Sequence, residues 1–137
     1  MKVAFATQDL LQVDAHFGWA KNIVIYDLTP QGYQAIDTFT FGGQLEEDGD
    51  EDKLGPKIEA IKDCAMLYVA AIGGSAAARV VANRIHPVKV VQPELIVDIL
   101  DKLQKVVNGT PPPWLRKAMQ KGLAREFVPE DEGAGHG

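Results

Sequence analysis

Between Ala65 and Ile72 the chain reads Ala-Met-Leu-Tyr-Val-Ala-Ala-Ile, and Gly73-Gly74-Ser75 follows at once. A run so nearly all apolar has to be covered on both faces, which is the condition of a central strand in a parallel sheet. The Gly-Gly-Ser step then opens a helix through about Arg84. A buried strand feeding straight into a helix commits this stretch to an α/β arrangement. The remaining segments agree. Lys2–Thr7 is a second buried strand, with Val3, Ala4, Phe5 and Ala6 in unbroken succession. Asn22–Leu28 is rich in β-branched residues, and Thr29-Pro30-Gln31-Gly32 turns it into Tyr33–Phe41, whose alternation predicts a strand with two different faces. Leu54–Ile61 begins a helix with Pro56 in its first turn. Pro87–Val91 is a short strand. Pro93-Glu94 starts a helix with Leu95, Ile96, Ile99, Leu100 and Leu103 on one face, ended by Asn108-Gly109. This order predicts an α/β domain over residues 1–109 built on a mixed sheet of about five strands, one of them antiparallel. Residues 110–137 are expected to form a C-terminal extension: Pro111-Pro112-Pro113 as a stiff spacer, a basic amphipathic helix over Trp114–Leu123 and a frayed acidic tail from Phe127.

Composition removes several function classes. With 14 basic against 19 acidic residues the net charge is −5, the wrong sign for a nucleic-acid partner. Much of the negative charge sits in Glu46-Glu47-Asp48-Gly49-Asp50-Glu51-Asp52, and the rest of the chain is close to neutral. That run reads either as a partner-docking arm or as a solvated loop. No apolar run approaches the roughly 18 residues of a membrane span. The N-terminal apolar stretch is too short for a signal peptide, so the expected compartment is the cytoplasm. There is one cysteine, Cys64, so neither an internal disulfide nor a four-cysteine metal site can be built.

Three groups are candidates for chemistry. His16, in Asp14-Ala15-His16-Phe17-Gly18 after the first strand, falls in the loops at the strands' carboxyl ends, the usual ligand crevice of an α/β sheet. Its imidazole is either a metal ligand, oriented by Asp14, or a cap on its own loop. Gly73, Gly74 and Ser75 offer helix-terminal amides to an anion, with Arg79 as added charge, or else make only a tight turn with small residues. The segment lacks both the P-loop ending and the dinucleotide spacing. Cys64 precedes the central strand, at the end opposite the crevice, and reads either as a thiolate ligand or as a small buried residue at the strand's entrance. His86, before Pro87, reads either as closing a turn or as a ligand. No nucleophile elbow or zinc-protease motif is present, and Ala4 and Ala6 occupy the first strand where a two-metal nuclease would want an acid, which favours binding over catalysis.

Val13–Ala20 and Ile72–Arg79, together with Ile85-His86-Pro87-Val88-Lys89-Val90 and Asn108–Lys117, resemble the dinitrogenase iron–molybdenum cofactor biosynthesis family over about Met1–Leu123. The resemblance implies a ribonuclease-H-like three-layer fold. It implies transient binding of the iron–molybdenum cofactor or its iron–sulfur precursor, with His16 as the metal ligand. Phe17, Gly18, Gly73, Gly74, Ser75 and Arg79 complete the implied cofactor-binding set. It also implies exchange with assembly proteins: NifB, the NifEN scaffold and possibly apo-dinitrogenase. With one cysteine, the cluster is expected to arrive already built. Two competing readings stand beside the carrier: an interaction module acting through Trp114–Lys121 without metal, and a small phosphate-handling hydrolase using Gly73–Arg79 with Asp9 or Asp14.

Overall fold

The computed structural model describes residues 1–41 and 54–121. The acidic run 46–52, the end of the extension beyond 121 and His136 lie outside the described residues. Strand β1 (Lys2–Thr7) shows how two cores arise from one alternation. Val3 and Phe5 enter one cluster, Ala4 and Ala6 the other. Small alanines let helices α1 (Gly55–Ile61) and α2 (Gly74–Ala82) approach one face through Ile58, Ile61, Ala76 and Val80. Phe5 faces the other side, stacked on Tyr68 at 5.4 Å and edge-on to Tyr26 at 5.8 Å, against Ile96, Ile99, Leu100 and Leu103 of α3 (Ile96–Asn108).

Beside β1 stand β3 (Asn22–Thr29), β4 (Gly32–Thr40), β5 (Met66–Val69) and β6 (His86–Lys89), in the order β4-β3-β1-β5-β6. β1, β5 and β6 are parallel, and β3 runs against its neighbours β1 and β4. The expected mixed five-stranded sheet with one antiparallel strand is therefore what forms. A bulge between Ile25 and Tyr26 shifts the β3–β4 register, and much of β4 is exposed along one open flank. Pro87 sits in β6 at the other flank, where a missing amide costs no ladder bond.

Several boundaries differ from the sequence reading. β5 stops at Val69 instead of Ile72, because Ala70 and Ala71 turn to meet the loop after β1. The helix expected from Pro93 begins at Ile96. Glu94–Leu95 instead forms a short strand, β7, paired antiparallel with β2 (Gln12–Val13), inside what read as a polar loop. The Ile96 N–H donates to the Leu11 carbonyl at 2.9 Å and fixes that junction. α2 ends at Ala82, and Arg84 follows in the left-handed region at φ 63°, where a helix cannot continue. His86 does not close a turn. It is the first residue of β6, and its ring stacks on Trp114 with centroids 4.3 Å apart.

Residues 113–121 form helix α4, which lies back against the domain. Leu115 is buried in the α3-side core. The Lys121 ammonium donates to the carbonyls of Cys64 (2.6 Å), Asn83 (2.9 Å), Lys62 (3.2 Å) and Arg84 (3.4 Å). Those oxygens cluster where α1 and α2 end, so the cation meets the negative ends of two helix dipoles. No helix among the described residues is long and apolar enough to cross a membrane.

Candidate functional site

The loop from Gln8 to Lys21 is shaped by polar side chains that satisfy its own backbone. Thr7 Oγ1 accepts the Leu10 N–H, and Asp9 Oδ1 accepts those of Leu11 and Gln12, each at 2.9 Å. These bonds, that from Gln12 foremost, hold the exposed Asp9 carboxyl down to about 2 and keep Leu10 at φ 70°. Gln8 closes the loop's base, accepting from the Lys21 N–H at 2.7 Å and donating to the Trp19 carbonyl at 3.3 Å. Asp14 accepts the Gln8 N–H at 2.8 Å. The expectation that Asp14 orients the histidine ring is thereby corrected, since its carboxylate serves the loop base. Asp9 Oδ1 and Asp14 Oδ1 thus both accept backbone amides.

Within this frame His16 is joined to the sheet. Its residue forms a parallel bridge with Ala71, the Phe17 N–H donates to the Ala71 carbonyl at 2.8 Å, and the Ala70 N–H donates to the Ala15 carbonyl at 2.9 Å. Ala71 lies just past the carboxyl end of β5 and three residues before α2, so the exposed His16 stands close to the start of that helix. The bridge joins His16 to the segment that leads into Gly73-Gly74-Ser75. Gly73 caps α2 with extended backbone and no side-chain bond. A Cβ built on Gly73 or Gly74 would meet nothing within 4 Å, so a ligand can approach this backbone closely. Ser75 is exposed in the first turn.

The His16 ring also caps its own loop: the Gly18 N–H donates to Nδ1 at 3.1 Å, at the head of the short 3-10 turn Phe17–Trp19. One expected contact is corrected. The Phe17 side chain is wholly buried in the α1–α2 core, so it anchors the loop and offers no surface to a cofactor. Arg79 lies in the last turn of α2, five residues after Gly74. The Gly18 carbonyl accepts from Lys57 Nζ at 3.1 Å. Lys57 is fully buried and stands 4.9 Å from the centroid of the Phe41 ring. It was missed in the sequence, although Leu54, Lys57, Ile58 and Ile61 follow an apolar helix stripe in which a lysine is out of place.

Other features lie away from this edge. A cavity of about 480 Å³ is lined by Ile36, Phe39, Phe41, Ala60 and Cys64 among others, on the α1 side, and includes neither His16 nor the start of α2. Cys64 is buried at the amino end of β5, and burial pushes its thiol up to about 12. Cys64 is accordingly expected to resist thiol reagents in the native protein at pH 8 and to react only on unfolding. Modification at the rate of a small free thiol would contradict this placement. Among the described residues no three His, Cys, Asp or Glu side chains group to hold a metal ion.

Comparison with known proteins places the chain in a family. The model of the family described as dinitrogenase iron-molybdenum cofactor matches residues 1–106. Protein NifX of Herbaspirillum seropedicae is 70% identical over 132 residues, spanning 96% of this chain and 90% of that protein. Protein NifX of Azotobacter vinelandii is 38% identical over 121 residues, 88% of this chain and 76% of that one. The crystal structure of PH0822 superposes with a TM-score of 0.59 at 24% identity, covering 77% of this chain and 89% of that one, a likeness of fold. The chain belongs to the dinitrogenase iron–molybdenum cofactor family and, within it, to the NifX-type proteins.

Proposed function

We infer that the protein is a carrier rather than an enzyme: it takes up the iron–molybdenum cofactor or its iron–sulfur precursor as cargo and releases it to another assembly protein. The observation that carries this reading is the exposed His16 on a loop whose backbone is bridged to Ala71, three residues before α2. One side-chain nitrogen and a short row of helix-terminal amides suit an anionic, preassembled cluster that has to leave again. His16 is the metal ligand in this reading, and the backbone at Gly74 and Ser75 holds the anionic remainder. Kinship supports it, since NifX-type proteins serve the biosynthesis of the iron–molybdenum cofactor in nitrogen fixation. The strand order, with β3 reversed, suits the ribonuclease-H-like label.

The donors and acceptors we propose are NifB, the NifEN scaffold and apo-dinitrogenase, met in the cytoplasm. Leu10, Leu11, Trp19 and Val91 are exposed in the loops after β1 and β6, at the same edge as His16, and would be covered during hand-over. The interaction-module reading has one observation in its favour, the half-exposed Trp114 on α4. Anaerobic incubation of the apo-protein with isolated precursor cluster, followed by desalting and iron analysis, separates the two. The wild type is expected to retain iron and turn brown, and His16→Ala to retain at least about ten-fold less, the equivalent of one lost ligand. Equal retention by the variant removes His16 from the site, and no retention by the wild type leaves the interaction module.

A further inference from the structure

The burial of Lys57 calls for a reason. Removing an ammonium from water costs several kcal/mol unless polar partners replace the solvent, and a methionine or leucine would fill the same apolar stripe at no such cost. The Lys57 ammonium lies over the Phe41 ring and donates to a backbone atom of the candidate site, the Gly18 carbonyl, at 3.1 Å. The same residue's N–H donates to His16 Nδ1 at 3.1 Å. Gly18 is thus pinned from both sides, by a buried cation at its carbonyl and by the imidazole at its amide. An N–H pointing at Nδ1 requires the lone pair to be there, so in the neutral ring Nε2 carries the proton.

We propose that Lys57 is a positioning residue for His16: by fixing the Gly18 carbonyl it keeps the Gly18 N–H on Nδ1, and the resting imidazole presents an Nε2–H donor at the carrier edge. This rests on the carrier reading for its purpose but not for its geometry. An Nε2–H meets an anionic cargo first as a hydrogen-bond donor, to a sulfide or carboxylate. Binding a metal through Nε2 would then require that nitrogen's proton to pass to solvent and Nδ1, once it gives up the Gly18 amide, to take up one in its place, so that the ring stays neutral in the other tautomer. The ligand is held in check by its own loop, and Lys57 sets how firmly. A short loop whose cap competes with coordination favours release, which a carrier needs.

The test uses the full-length apo-protein, 15N-labelled, with hydrogen exchange at the Gly18 amide and the 15N shifts of the His16 ring as readouts. In the wild type, Gly18 is protected and Nδ1 resonates as the unprotonated, hydrogen-bonded nitrogen. Lys57→Met is expected to raise Gly18 exchange about 10- to 100-fold, the range of one lost charged hydrogen bond. Amides of β1 and β5 should slow or quicken together by a smaller factor, and the Nδ1 shift should move toward that of a free imidazole. Lys57→Arg, which keeps a buried cation and donor, is expected to restore most of the protection. If Lys57→Met does not fold, Lys57→Gln is read in the same way. An unchanged Gly18 amide and His16 shift in the folded variant overturns the proposal. So does a loss of Gly18 protection no larger than that of the core strands, which would make Lys57 a packing residue only. Cluster uptake keeps the two claims apart. Loss in His16→Ala with unchanged uptake and release in Lys57→Met retains the carrier and sinks the positioning role. Full uptake by His16→Ala sinks the carrier ligand and leaves Lys57 to be judged on the apo-protein readouts.

Discussion

Phe17→Ala is expected to destabilise the protein by about 3–5 kcal/mol, lowering the thermal midpoint by roughly 10 °C or more. The ring is fully buried among Ala15, Ile58, Ile61 and Val69, in a core where the alanines of β1 already keep the packing tight. Deleting six ring carbons there leaves a void that the short strands cannot close. The contrast with His16→Ala makes the result informative. That substitution removes only an exposed cap, worth about 0.5–2 kcal/mol, and is expected to spare the fold while reducing cluster uptake. Adjacent residues would then separate cleanly, one holding the loop and one using it. Urea titration of both variants checks the pair. A Phe17→Ala protein that melts with the wild type would mean that the loop is not anchored through this ring.

Lys121→Met is expected to cost about 1.5–3 kcal/mol, the scale of a charge-assisted hydrogen bond, and to loosen α4. Its three ammonium hydrogens are shared among four carbonyls, two of them within 3 Å. The compact cation matters more than the charge. Lys121→Arg retains the charge but is expected to fall short of the wild type, because a planar guanidinium does not fit a rounded cage of carbonyl oxygens. Trp114 reports the outcome directly, since its stacking on His86 depends on α4 staying down. Its fluorescence should shift to the red in both variants, with earlier proteolytic cleavage within 113–121. Wild-type emission and stability in both would show that Leu115 alone docks the helix.

How much of this was legible in the sequence depends on the range of the interaction. The strands of the central sheet came from local pattern, because a run such as Ala-Met-Leu-Tyr-Val can satisfy its apolar faces in few ways. That the His16 loop lies at the carboxyl end of β5 also followed, from the rule that crevices form at carboxyl ends. What escaped was set by partners distant in the chain. Glu94–Leu95 reads as a helix start until Gln12–Val13 is known to lie beside it. Asp14 reads as a second ligand-orienting group until Gln8 is seen to take it. Phe17 has the same composition signal whether it faces cargo or core, and only the fold turns it inward. Lys57 left a trace, a cation in an apolar stripe, but its target 39 residues earlier is a backbone oxygen, to which a side-chain pattern is blind.

The placement of Lys121 and His16 at opposite ends of β5 has a consequence for stoichiometry. Cys64, whose carbonyl meets Lys121, stands seven positions before Ala71, which is bridged to His16, a span of roughly 20 Å in extended chain. A protein gripping α4 and Trp114 at one end would leave the other end uncovered. On the proposed carrier reading, a partner held at α4 and a cargo held at His16 would therefore not compete for one surface, and both could be bound at once.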